Sequence, residues 1–239
     1  MSQEVQEFNT WIAAYKRQLD VENQFKDSIN KIKSQFHYQR MKGLTKLLEY
    51  LYGLSENDIK TIEKIQNDDQ YKVVNNVMKY IIEPKEPVLI THKPSEKKLG
   101  FEVIQGICLS HQESKKNFRE SGGIDSVLGI IDSQPTLSFY GIEALMAALV
   151  DDPESQKYFA QKKGIDIVVR IMTDKKMQRN IRIRTTEFLR MLIENKEFKN
   201  KVQSLIGEKA VTYMESKVQF NDEMKKGSTM FINKLDTGF

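Results

Sequence analysis

The chain has 239 residues, a formal net charge of +4, and one cysteine, Cys108. A single cysteine excludes an internal disulfide or a multi-cysteine zinc site and fits a reducing compartment. The surplus of base is small and scattered, unlike the clustered stripe of a nucleic-acid-binding domain. No apolar run approaches membrane-spanning length, and the first residues are acidic. The expectation is therefore a chain with no signal peptide or membrane span, in the cytosol or on a cytoskeletal structure within it.

Residues 1–40 contain neither glycine nor proline. They predict one long amphipathic helix with Phe8, Trp11, Tyr15, Leu19, Phe25, Ile29, Ile32 and Phe36 as its apolar positions. A heptad track through Phe8, Trp11 and Tyr15 fails at Gln18 and Glu22, which leaves open a coiled coil or a helix lying along the body. The aromatic anchors, Trp11 and Tyr15 among them, favour docking onto a groove. Residues 41–226 read as the main helical domain. Leu44, Leu47, Leu48 and Leu51 mark one helix ending at Gly53, and Ser55 and Asp58 cap the next. Residues 83–97 carry three of the five prolines, so they predict a loop and the best internal boundary. A helix follows over 97–111, with Val103, Ile107 and Cys108 on its apolar stripe.

An ungapped repeat comes next. Residues 113–132 and 154–173 lie 154 − 113 = 41 positions apart, and nine of the 20 aligned positions are identical. The identities include Ser114/Ser155, Phe118/Phe159, Gly123/Gly164, Ile124/Ile165 and Asp125/Asp166. Each copy reads as a short helix with a phenylalanine anchor, a turn at the glycine, and a second helix with aspartate near its positive end. Residues 138–150 are almost wholly apolar and predict a third, central helix between the copies. Three helices in about 40 residues is the plan of an armadillo repeat. The fold class is thus all-α: an armadillo- or HEAT-like helical-repeat solenoid behind a long N-terminal helix. A degenerate third copy runs from Glu197 to about Gly207, since 207 − 164 = 43, with Val202 where Phe159 stood. Residues 208–226 predict a last amphipathic helix, and residues 227–239 a tail without pattern.

No catalytic constellation emerges. His37, His92 and His111 are never at helical metal-pair spacing, Cys108 sits on an apolar stripe, and no phosphate-binding glycine loop is present. The chain is expected to be a non-enzyme that needs no cofactor or metal. Solenoids hold proteins on the helix that lines each repeat's inner face. Here those helices begin at Ile124 and Ile165. Core spacing takes Ile124, Val127, Leu128 and Ile131, then Ile165, Val168, Val169 and Met172, leaving Ser126, Gly129, Ile167 and Arg170 as candidate partner contacts. A mid-helix glycine and an outward isoleucine suit close contact, either with the N-terminal helix or with another protein. Arg182 and Arg184 belong to a basic cluster with Arg179 and Arg190, which reads as a site for an acidic partner or as one solvated helix face.

Four stretches resemble one family: residues 43–51, 117–124, 144–159 and 181–189. They look like cell division control protein fourteen, the septation-initiation-network component rather than the phosphatase of similar name. Its most specific parts are Leu149 to Glu154 and the set Arg184, Glu187, Phe188 and Leu189. The resemblance implies an armadillo-like, non-catalytic subunit bound to a germinal-centre-type protein kinase at a spindle pole or centrosome. It transfers no functional residues. A second expectation, resting on the long aromatic first helix and mild basicity, is a structural component of a cytoskeletal or ciliary assembly.

Overall fold

A computed structural model describes residues 3–53, 55–84, 93–217 and 224–238. Among them the secondary structure is entirely helical, in two compact units, Met1–Ser121 and Gly122–Phe239.

The first unit opens with α1 (Gln3–Ile32) and α2 (His37–Tyr52). The expected single helix over 1–40 is therefore two. No glycine or proline breaks it; a buried arginine closes the corner. Arg40 donates from Nη1 to the carbonyls of Ser34 and Gln35, in the connection between the two helices. Phe36 stands extended ahead of α2. Phe25, Ile29 and Ile32 then face Leu44, Leu47 and Leu48 across the α1–α2 hairpin. Gly43 permits the approach, because a Cβ there would lie 2.5 Å from the Ser28 carbonyl oxygen. Next comes α3 (Glu56–Gln66), with the expected Ser55–Asp58 capping box. After a 3-10 turn at Asp69–Tyr71, α4 (Val73–Val77) runs into a π-helical turn, Met78–Ile82.

Helix α5 (Pro94–Ser110) starts at a proline, whose missing N–H costs nothing at a first helical position. The predicted loop over 83–97 therefore ends sooner than expected, and its residues 85–92, His92 included, lie outside the described residues. Nor is it a boundary between units. Helix α5 packs on α2, α4 and the π-turn, with Gly100 against Ile81 and Ile82. One cluster fixes the contact. Glu96, fully buried, accepts from Arg40 Nε at 2.7 Å and from the Lys93 backbone N–H at 3.0 Å. His37 Nδ1 stands 2.9 Å from the same carboxylate, though out of line for a hydrogen bond. Burial alone would raise the pKa of Glu96; Arg40, His37 and the Lys93 N–H outweigh it and hold the carboxyl below its usual range. The unit closes with α6 (Gln112–Glu120).

His111 joins α5 to α6 and meets Ser114 Oγ at 2.9 Å. It is half-buried rather than solvated, and burial lowers its pKa against the pull of Glu63 and Glu113. A base with a lowered folded-state pKa contributes stability above its unfolded value, near 6.5, and loses it as pH falls below that. The denaturation midpoint is therefore expected to drop between about pH 7.5 and 5.5, and less so in His111→Gln, as urea titrations at the two pH values will report.

The second unit contains α7 (Gly123–Ser133), α8 (Pro135–Leu149), α9 (Pro153–Gln161) and α10 (Gly164–Thr173), then α11 (Arg179–Leu192), α12 (Lys196–Ile206), α13 (Glu208–Lys217) and α14 (Met224–Thr237). The expected central helix is α8, and it packs on α7, α9 and α11. The degenerate copy is real as structure: α12, a turn at Gly207 with φ +87°, then α13. Of the predicted helix over 208–226, α13 covers Glu208–Lys217 and residues 218–223 lie outside the described residues; the patternless tail over 227–239 mostly belongs to α14, which covers α11 and α13.

The repeated glycines serve a purpose other than the predicted turn. Positive φ falls one residue earlier, at Gly122 (+78°) and Lys163 (+60°), while Gly123 and Gly164 open the following helices. Gly164 answers to packing: a Cβ there would lie 2.3–2.5 Å from three atoms of the Phe159 ring. The repeated serines sit in the first turn of their helices and meet the residue at the helix start. Ser155 donates its hydroxyl and backbone N–H to Asp152, just as Ser114 meets His111.

The repeated aspartates tie each copy to the next. Asp125 accepts from Tyr158 Oη at 2.7 Å and pairs with Lys162 at 2.8 Å, while Asp166 pairs with Lys201 at 2.7 Å. Burial would raise the pKa of Asp125, and the two hydrogen bonds lower it instead. In the third copy the same position, 166 + 43, is Lys209.

Candidate partner-binding site

Core spacing on α7 and α10 holds: Ile124, Val127, Leu128 and Ile131 are buried, as are Ile165, Val168, Val169 and Met172. The remaining positions divide. Ser126 is buried, its hydroxyl donating to the Gly122 carbonyl within the same helix at 2.9 Å. It is therefore a local helix-end contact, not a partner contact. Gly129 is exposed, and an added Cβ would meet nothing within 4 Å. Ile167 is half-buried and Arg170 exposed. The Arg170 guanidinium crosses to Asp132 of α7, and both members of that pair are well exposed. Such an exposed ion pair adds about 0–1 kcal/mol and leaves its charges open to a competitor. Gly129 and Arg170 are thus accessible and Ile167 partly so, and the Arg170–Asp132 pair joins the two helices that carry them.

The basic cluster on α11 divides: Arg179 is exposed and Arg190 half-buried, while Arg182 and Arg184 reach carboxylates of neighbouring helices. Arg182 is buried; its Nε donates to the Met172 carbonyl at the end of α10, and its fork takes Asp236 of α14 at 2.9 and 2.7 Å. That fork lowers the pKa of Asp236. Arg184 binds Glu143 of α8 and Glu187 of its own helix, each at 2.6 Å. Burial would lower the pKa of Arg184, and its two carboxylate partners raise it. Both arginines are straps between helices. The spacing of α11 conceals this, because Glu143 and Asp236 lie far off in sequence.

The other exposed feature is the first half of α1. Phe8 and Trp11 are 59% and 60% exposed, Tyr15 is 53%, and Val5 and Leu19 are also exposed. The three rings form a ladder, with centroids 6.2 Å apart from Phe8 to Trp11 and 5.6 Å from Trp11 to Tyr15. Trp11 and Tyr15 are therefore open, as a docking role requires. Cys108, by contrast, is buried, and no group of three or more metal-binding side chains occurs among the described residues. No helix among them is long and apolar enough to cross a membrane.

These features define an all-α helical-repeat protein whose sequence repeat codes for helix ends, packing glycines and ties between copies. Residues 18–230 match the family described as Cell division control protein 14, SIN component. The chain belongs to that family. No match is found among curated proteins.

Proposed function

We propose that the chain is a non-catalytic scaffold that holds a protein kinase of the germinal-centre type in a cell-division pathway, at a cytoplasmic spindle pole. Family membership supports the pathway. The observation that carries the scaffold reading is the accessible surface at Gly129, Ile167 and Arg170, presented by α7 and α10, whose aspartates are tied to the next copies. A surface held rigid before binding loses little freedom on complex formation, so its contacts convert efficiently into affinity. By fitting one conformation of the kinase better than others, such a face shifts the kinase toward it.

The test is affinity purification from the native cell, comparing the full chain with Ile167→Glu/Arg170→Glu. These side chains are half-buried and exposed, so the variant should fold. A protein kinase is expected with the natural chain and at least about tenfold less with the variant, the loss two interface contacts produce. Absence of any kinase among the specific partners would sink the reading.

A further inference from the structure

The exposed half of α1 carries an ordered pattern rather than scattered apolar residues. Val5, Phe8, Ile12, Tyr15 and Leu19 follow steps of three and four, the seam of a two-stranded coiled coil. At 100° per residue the seam lies about a third of a turn from the buried row Phe25, Ile29 and Ile32. The face that grips α2 and the face left open therefore differ, and a partner on the open seam clears α2.

The geometry points to a second copy of this chain as the occupant, with the two α1 helices parallel and in register. Three observations select it. First, in a parallel in-register pair every seam position meets its own equivalent, and the β-branched Val5 and Ile12 at alternate seam positions favour two parallel strands. Second, flanking residues in that register bring Trp11 of each copy against Lys16 of the other. Both are exposed, and a lysine over an indole face is attractive. Third, the area is right for a reversible dimer. Fully covering these side chains removes about 500 Å² per copy, since each aromatic presents roughly 150–250 Å² and is about half exposed. That falls below the ~800 Å² per partner of a standard stable interface, so the dimer forms and dissociates with concentration.

Sedimentation of the full chain is expected to show monomer at about 5 μM and a mass approaching twofold at about 200 μM, the range a small interface implies. Ile12→Asp, far from the α1 core row, should remain monomeric throughout with unchanged helicity. Register is read by cysteine capture in glutathione buffer. Ile12→Cys should form a disulfide-linked dimer at least about tenfold faster than Thr10→Cys, which lies on the other side of the helix. A mixture of Val5→Cys and Leu19→Cys should yield only like-with-like dimers. A chain that stays monomeric at the highest concentration, or equal capture at positions 10 and 12, overturns the dimer. Mixed Val5–Leu19 products overturn the parallel arrangement.

Discussion

Glu96→Ala is expected to lower the unfolding free energy by about 3–5 kcal/mol, the cost of leaving a buried guanidinium without its counter-charge. Arg40 is 1% exposed and Glu96 fully buried, so water cannot replace the lost partner. Two backbone carbonyls, those of Ser34 and Gln35, would remain as its acceptors. The same cluster sets the α1–α2 corner and attaches α5 to α2, so one substitution loosens both. Replacing the pair together, Arg40→Met with Glu96→Leu, should cost much less, because no buried charge is stranded. Urea denaturation of the three proteins measures this. A single variant within about 1 kcal/mol of the natural chain would show that the pair carries little.

Gly164→Ala should destabilise the second unit by about 1–3 kcal/mol, although alanine is the better helix former. The Phe159 ring that its methyl would strike is fully buried and packed at a tilt against Phe188, centroids 5.5 Å apart, so it has nowhere to go. Gly129→Ala supplies the contrast. That site opens on empty space, and the substitution should stabilise by about 0.5–1 kcal/mol through helix propensity alone. Opposite signs at two helical glycines in paired denaturation curves would confirm that packing, not backbone freedom, holds Gly164 in place. Equal signs would refute it.

Local chemistry made much of this fold readable from the chain. The leucines of α2, the Ser55–Asp58 box and the apolar α8 follow from spacing and capping, which act over a few residues. The repeat was visible because the same short-range needs recur 41 residues on. What escaped notice depends on partners distant in sequence. The α1–α2 corner needs Glu96 to hold Arg40; Arg182 and Arg184 of α11 turn inward because Asp236 and Glu143 await them. At Gly164 the sequence marks the residue but not its reason, since turn and packing glycines look alike until the ring above is placed. Of the candidate surface, Gly129, Ile167, Arg170, Trp11 and Tyr15 are accessible, while Ser126 and Arg182 are not and Arg184 is tied into its carboxylates. The stretches that carry the family resemblance prove to be architectural. Asp152 caps α9, Pro153 occupies its first turn, and Arg184, Glu187 and Phe188 link α11 to itself and its neighbours.

The lysine at position 209 bears on how this chain could lengthen over generations. Tandem duplication of a helical unit is favoured, by the modest worth of an exposed ion pair, when the added unit meets an opposite charge on the one before it. Asp125 and Asp166 each offer a carboxylate to an incoming lysine. Lys209 would instead oppose it, because like charges repel at that range. A duplicated unit inserted ahead of α12 would find a carboxylate waiting, whereas one appended after α13 would face repulsion. The third copy thus lacks the carboxylate by which each earlier copy receives the next.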